Sequence, residues 1–130
     1  MATYNNLNNR TLDVGVLEKV FQEGHLNGEP QLAMELLKIF NKSTPFRLDR
    51  LHLAAERGDV EEMRRLAHTM KSSCAYLGAQ RMRTYCTELE VLCFDQKTED
   101  AKFMIQKIKS EYEQVKIALE RALLNLHPAT

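Results

Sequence analysis

Tryptophan is absent from this 130-residue chain, and glycine and proline are scarce, at five and three copies. Aromatic residues make up only 7%. A chain so poor in turn formers and β-favouring aromatics favours helices over sheets. Charge of one sign is missing too: 18 Lys and Arg offset 18 Asp and Glu, for a formal net charge of zero. That balance argues against a general nucleic-acid or membrane-surface binder. No run of about 18 apolar residues occurs, so nothing reads as a membrane span. The N-terminal stretch Met1 to Arg10 has no apolar h-region and does not read as a signal peptide. A soluble cytoplasmic protein of one domain, long enough to bury a core without staples, is expected.

Three cysteines are present, Cys74, Cys86 and Cys93. An odd number set in apolar helical patterns reads as reduced core thiols. Cys86 and Cys93 lie two helical turns apart, too far for a zinc pair, and His25, His52 and His127 are scattered, so no metal site is expected. Glycines 15, 24, 28, 58 and 78 stand alone, and no glycine-rich phosphate loop occurs. The chain is therefore expected to bind no ATP and no other cofactor.

What is present is apolar periodicity. The spacing predicts a loose polar arm over 1–10 and one domain over 11–126. A short helix over 13–23 carries Val14, Leu17, Val20 and Phe21, with Gly24 placed to stop it. A long helix over 29–57 starts with Pro30 in its first turn. Its stripe runs Leu32, Leu36, Ile39, Phe40, Leu48, Leu51 and Ala55, and Pro45 in its middle is expected to kink or break it. Gly58 ends it, and Asp59 with Glu62 three residues on forms an Asp capping box for a third helix ending at Leu77. Gly78 makes the next turn. A fourth helix over 80–94 presents Met82, Tyr85, Cys86, Leu89 and Cys93. After a polar link, Thr98 is a plausible cap for a helix over 99–126. Its seam of Ala101, Ile105, Ile108, Tyr112, Val115, Leu119, Ala122 and Leu126 is heptad-like. The seam suits either the wall of an intramolecular bundle or a coiled-coil dimer. Short links between the helices predict an all-α protein, an antiparallel up-down-up-down four-helix bundle with a short extra N-terminal helix at one end.

The chain's chemistry concentrates in Ala67-His-Thr-Met-Lys-Ser-Ser-Cys-Ala-Tyr-Leu-Gly-Ala79. His68, Lys71 and Ser72 are three and four residues apart and share one helix face. Leu66, Ala67, Met70, Cys74 and Leu77 form an apolar stripe on the other side. An imidazole with a lysine one turn on suits a phosphoryl acceptor. A solvated histidine is the commoner reading of a lone histidine on a polar helix face, and spacing alone does not decide between the two.

The wording of the stretch resembles the site of histidine-containing phosphotransfer (HPt) domains. His68, Lys71, Ser73, Ala75, Leu77, Gly78 and Ala79 fall in that family's pattern. The resemblance extends to Leu12-Asp13, Gly58-Asp59 and Leu89-Glu90, over about residues 12 to 120. It departs at Ser72, where the family has glycine. It implies the bundle fold and phosphorylation of His68, with Lys71 stabilising phosphoryl charge. Family position and helix facing make Glu90 the group that orients His68. The implied partners are receiver domains of a hybrid sensor kinase and of a response regulator, with any Mg²⁺ belonging to the receiver. Arg64, Arg65, Ala75 and Tyr76 are the expected docking residues, and a monomer without nucleic-acid or membrane partners is expected. Two alternatives compete with this reading. One is a non-catalytic helical adaptor that docks receivers without carrying phosphate. The other is the dimeric phosphoacceptor piece of a histidine kinase, against which Thr69 stands where an acidic residue normally follows the histidine.

Overall fold

A computed structural model describes residues 10–23 and 31–126, with helices α1 (Val14–Glu23), α2 (Gln31–Arg57), α3 (Val60–Leu77), α4 (Gln80–Phe94) and α5 (Thr98–Leu126). Among the described residues no helix is long and apolar enough to cross a membrane. Two-residue turns join α2 to α3 and α3 to α4, and three residues join α4 to α5. Links this short force successive helices antiparallel. α3 packs on α2 and α4, and α5 closes the square against the same two helices.

The core is a column of large side chains. Leu51 of α2, Met63 and Met70 of α3, Met82 and Leu89 of α4, and Ile108 and Leu119 of α5 are all fully buried. Burial of each contributes about 1.5–3 kcal/mol. The α5 seam is buried from Ala101 to Ala122. Helices α2 and α4 cover it, so over that span no apolar seam is left for a coiled-coil partner.

Four expectations are corrected. Pro45 does not break α2, which runs through it as one helix. The ring is exposed, on the outer side of a helix whose neighbours Thr44 and Leu48 face the core. Lengthened hydrogen bonds are tolerated best on that outer side. Ile39 leaves the apolar stripe and is exposed. The inward residues are Phe40, Thr44, Leu48, Leu51 and Ala55, and Ile39 sits about 100° round from Phe40. Val14, in the first turn of α1, is likewise exposed. The α4–α5 link ends differently from expectation as well. The carbonyl of Lys97 accepts from Ala101 N–H at 3.0 Å, so Lys97 takes the cap position and Thr98 is already helical. Gln96, at φ 59°, takes the left-handed position of that turn. Gly24, Pro30, the arm before Arg10, and the side chains of Phe21, Leu32 and Leu126, for which expectations are given above, lie outside the described residues.

The turn before α3 sets the height of the site helix. Gly58 N–H donates to Ala55 O and Asp59 N–H to Ala54 O, at 3.1 and 2.8 Å. This is a Schellman ending, with Gly58 at φ 69°. Asp59 Oδ1 then accepts from Glu62 N–H at 3.1 Å. Only that half of the capping box forms. Asp59 N–H is already taken, and the Glu62 carboxylate instead bridges Arg65, at 2.6 Å, and Arg50 of α2. Asp59→Ala is expected to cost about 1 kcal/mol, read as a lower urea midpoint at unchanged slope. An unchanged midpoint would show that the cap adds nothing.

Helix α1 lies against α2 and α3 where α3 turns into α4. Leu17 enters the core, Asp13 N–H donates to Gly78 O at 2.7 Å, and Arg81 N–H donates to Arg10 O at 2.7 Å. Beneath this strap, buried Glu111 of α5 holds Oε1 3.6 Å from Arg81 Nη1.

Candidate functional site

Helix α3 has two faces. Met63, Leu66, Ala67, Met70, Cys74 and Leu77 are buried and anchor it. The anchor is rigid because residues three and four apart stack on one side. The opposite face presents His68, whose side chain is 64% exposed.

One carboxylate organises that face. Glu90 projects from α4, its own side chain only 18% exposed. Its Oε2 lies 3.1 Å from His68 Nδ1, and its Oε1 lies 2.6 Å from Lys71 Nζ. A carboxylate only accepts hydrogen bonds, so Nδ1 carries the hydrogen of the neutral ring. The lone pair then sits on Nε2, the far side of an exposed imidazole. Burial tends to raise the pKa of Glu90. The hydrogen bonds from Lys71 and His68 outweigh it, and the carboxyl titrates below its ordinary range. With a depressed pKa in the folded state, its stabilising contribution is present above the ordinary carboxylate range and is lost as pH falls through the depressed value.

Lys71 is pinned between α3 and α4 rather than free in solvent, its side chain 28% exposed. Ser72, one turn after His68, is exposed on the other flank. There it lines a groove between α2 and α3 with Leu36, Ile39, Phe40, Ser73 and Tyr76. His68, Lys71 and Ser72 thus share a face as their spacing predicts, with His68 and Lys71 turned toward α4 and Ser72 toward α2.

The arginines are less available than expected. Arg64 pairs with Glu61 at 2.8 Å and Arg65 with Glu62 at 2.6 Å, each one turn back. The Glu61 carboxylate raises the Arg64 pKa. Arg64 also feels Glu90 and Cys93, which places it on the α4 flank of His68. Arg65 belongs to the α2 flank through Glu62 and Arg50. Ala75 is half-buried and Tyr76 exposed.

Two features of the site's surroundings escaped the sequence reading. The first is that Lys71 and His68 share Glu90. The second is an apolar outer surface on α2, where Ile39 and Phe46 are both exposed and Arg50 stacks over the Phe46 ring at 5.8 Å. Their seven-residue spacing, out of phase with the buried stripe, is the signal that could have found them. The cysteines are buried and unbridged, as expected. The hydrogen bond with Cys86 and burial push the Cys74 thiol well up, and burial pushes Cys93 up to about 11. Neither is a thiolate near neutrality, so neither serves as nucleophile.

The structure is thus a four-helix bundle with an exposed imidazole, held by Glu90, on the outer face of a middle helix. The chain belongs to the Hpt domain family, whose sequence profile matches residues 35–118, more than half its length. It is 27% identical over 113 residues to pseudo histidine-containing phosphotransfer protein 2 of Oryza sativa subsp. japonica, covering 83% of this chain and 75% of that one. To histidine-containing phosphotransfer protein 1 of Arabidopsis thaliana it is 26% identical over 111 residues, covering 82% and 72%. The fold is similar to the crystal structure of histidine-containing phosphotransfer protein B from Pseudomonas aeruginosa PAO1. The TM-score is 0.72 at 26% identity, with 85% of this chain and 92% of that chain covered. Its role is accordingly histidine phosphotransfer in a phosphorelay.

Proposed function

We propose that His68 is the phosphoryl acceptor. It takes the group from an aspartyl phosphate on the receiver domain of a hybrid sensor kinase and passes it to the receiver of a response regulator. The observation that carries this reading is the exposed imidazole with Nδ1 tied to Glu90 and Nε2 facing outward. Transfer of this kind needs position and charge more than covalent machinery. Glu90 fixes the tautomer, and Lys71, one turn on, meets the charge of the incoming group. The chain acts stoichiometrically as a carrier, with Mg²⁺ held by the receiver, and works in the cytoplasm as a monomer. An adaptor that only docked receivers would have no use for a ring held in one tautomer.

Docking is assigned to the α2–α3 side of His68. There Ile39, Phe46 and Tyr76 are exposed and Ser72 lines the groove. Ala75 sits at the edge of that surface. Arg64 and Arg65 are secondary to it, because each is already paired with a glutamate. The test is uptake of acid-labile, alkali-stable phosphate from a panel of phosphorylated receivers. Absence of label from every competent donor would overturn the reading.

Ser72 narrows the site without closing it. Ser72→Gly is expected to keep or raise the transfer rate while costing about 0.5 kcal/mol through helix propensity. Loss of transfer in that variant would make the hydroxyl an active participant. Stopped-flow transfer and a thermal melt on the same sample separate the two effects.

A further inference from the structure

Attack by Nε2 on a phosphoryl group leaves the imidazole ring with a positive charge. That charge must be either compensated or discharged as a proton. Resting on the assignment of His68 as acceptor, we propose that Glu90 keeps the proton on Nδ1 through the whole cycle, so that the phosphoryl group moves in both directions with no proton step.

The electron count supports such a cycle. On uptake, the Nε2 lone pair forms the N–P bond. The O–P bond to the receiver's aspartate breaks, and its electron pair leaves on that carboxylate. The ring is then a phosphoimidazolium, still carrying the Nδ1 hydrogen. On donation, a receiver carboxylate oxygen forms the new O–P bond, the Nε2–P bond breaks, and its pair returns to Nε2. The ring leaves as neutral imidazole, again with hydrogen on Nδ1. No proton enters or departs. A phosphorylated ring that loses this hydrogen to water becomes neutral. It would then have to depart as an imidazolide anion, a far poorer leaving group, unless it is reprotonated first.

The charges at the site match this cycle. Before uptake, Glu90 faces Lys71 at 2.6 Å and the neutral ring at 3.1 Å. After uptake there are two cations, Lys71 and the ring, and two anions, Glu90 and the phosphoryl group. Lys71 is one turn from His68, so it can turn to the phosphoryl oxygens and leave Glu90 to the ring. The other ionisable groups near Glu90 change little in this balance. Glu61 and Arg64 of α3 neutralise each other at 2.8 Å, and the Cys93 thiol of α4 is neutral. Glu90 itself stays ionised at neutral pH, because burial is outweighed by the bonds from Lys71 and His68. An uncharged acceptor at this position would hold the ring's tautomer but not its charge. The carboxylate is therefore a positioning group with a distinct pH signature.

The test uses the full chain labelled with ¹⁵N-histidine and phosphorylated with phosphoramidate, followed by imidazole ¹⁵N NMR against pH. The phosphorylated ring of the native protein is expected to lose its Nδ1 proton at least about one pH unit higher than that of Glu90→Gln, a tenfold difference in proton affinity. Over that interval, transfer to a receiver stays flat for the native protein and falls about tenfold for Glu90→Gln. Proton loss at the same pH in both proteins would overturn the proposal. If the native protein takes no label at His68, the assignment of the acceptor fails instead.

Discussion

His68→Gln loses all phosphoryl uptake from a phosphorylated receiver, down to the level of a reaction without the protein. The amide fills similar space, and its NH₂ still reaches toward Glu90, but its nitrogen has no nucleophilic lone pair to offer. The side chain is 64% exposed, so stability should stay within about 0.5 kcal/mol of native. The loss is therefore chemical, and a thermal melt beside the labelling assay separates it from misfolding. Label appearing equally on the variant would place the acceptor elsewhere. No other histidine within the described residues is placed to replace it. His52 lies on α2 and is paired with Glu56 of its own helix at 3.6 Å.

How much of this was legible in the sequence depends on the kind of residue. The bundle was read from periodicity, and it follows because the α3, α4 and α5 stripes each have enough apolar residues at three- and four-residue spacing to specify one buried face. His68 and Lys71 were found by wording and spacing, both local properties of one helix. Glu90 was placed by family resemblance and facing, and the structure puts it 3.1 Å from the ring. What could not be read was partnership across helices. No spacing rule says that Lys71 Nζ would meet Glu90 rather than water, or that Glu62 would turn to Arg50 and Arg65 and leave the second half of its capping box unformed. Both outcomes depend on how far apart α2, α3 and α4 stand, which packing sets and local sequence does not.

The unbroken course of α2 through Pro45 and the exposure of Ile39 have a related cause. Each turns on which side of α2 faces the core. Proline in a helix interior is expected to kink or break it, because it removes one hydrogen bond and clashes with the preceding turn; α2 is not broken. On the outer face that bond is the least costly to lose. Ile39 falls in the expected stripe by its three-residue step from Leu36. It instead forms part of the apolar outer surface beside the α2–α3 groove, the region to which docking is assigned. An isoleucine that leaves a core stripe yet stays beside the reactive face is a stronger pointer to a partner than one lost at random over the surface.

The two glycines that bracket α3 look equivalent in sequence, and the structure separates them. Gly58 and Gly78 both take positive φ, at 69° and 79°. A Cβ at Gly58 meets nothing within 4 Å. Gly58→Ala should therefore cost only the left-handed strain of an alanine, about 1 kcal/mol. A Cβ at Gly78 would lie 2.6 Å from the carbonyl oxygen of Asp13 and 3.2 Å from Val16 Cβ. That carbonyl cannot simply step aside, because it accepts the first-turn bonds of α1, from Val16 N–H at 3.2 Å and Leu17 N–H at 3.3 Å. The neighbouring bond from Asp13 N–H to Gly78 O would go with it. Strain, that bond and part of the burial of Leu17 together come to about 3 kcal/mol. For a chain of this size the melting temperature should fall about 10 °C, against about 3–4 °C for Gly58→Ala. Hydrogen exchange distinguishes the two mechanisms. In Gly78→Ala the amides of α1 should lose protection while those around His68 keep theirs, because the acceptor sits nearly three turns up α3, on the face opposite its buried anchor. Equal destabilisation by the two substitutions would mean that the strap of residues 10–13 across the α3–α4 turn contributes nothing to the bundle.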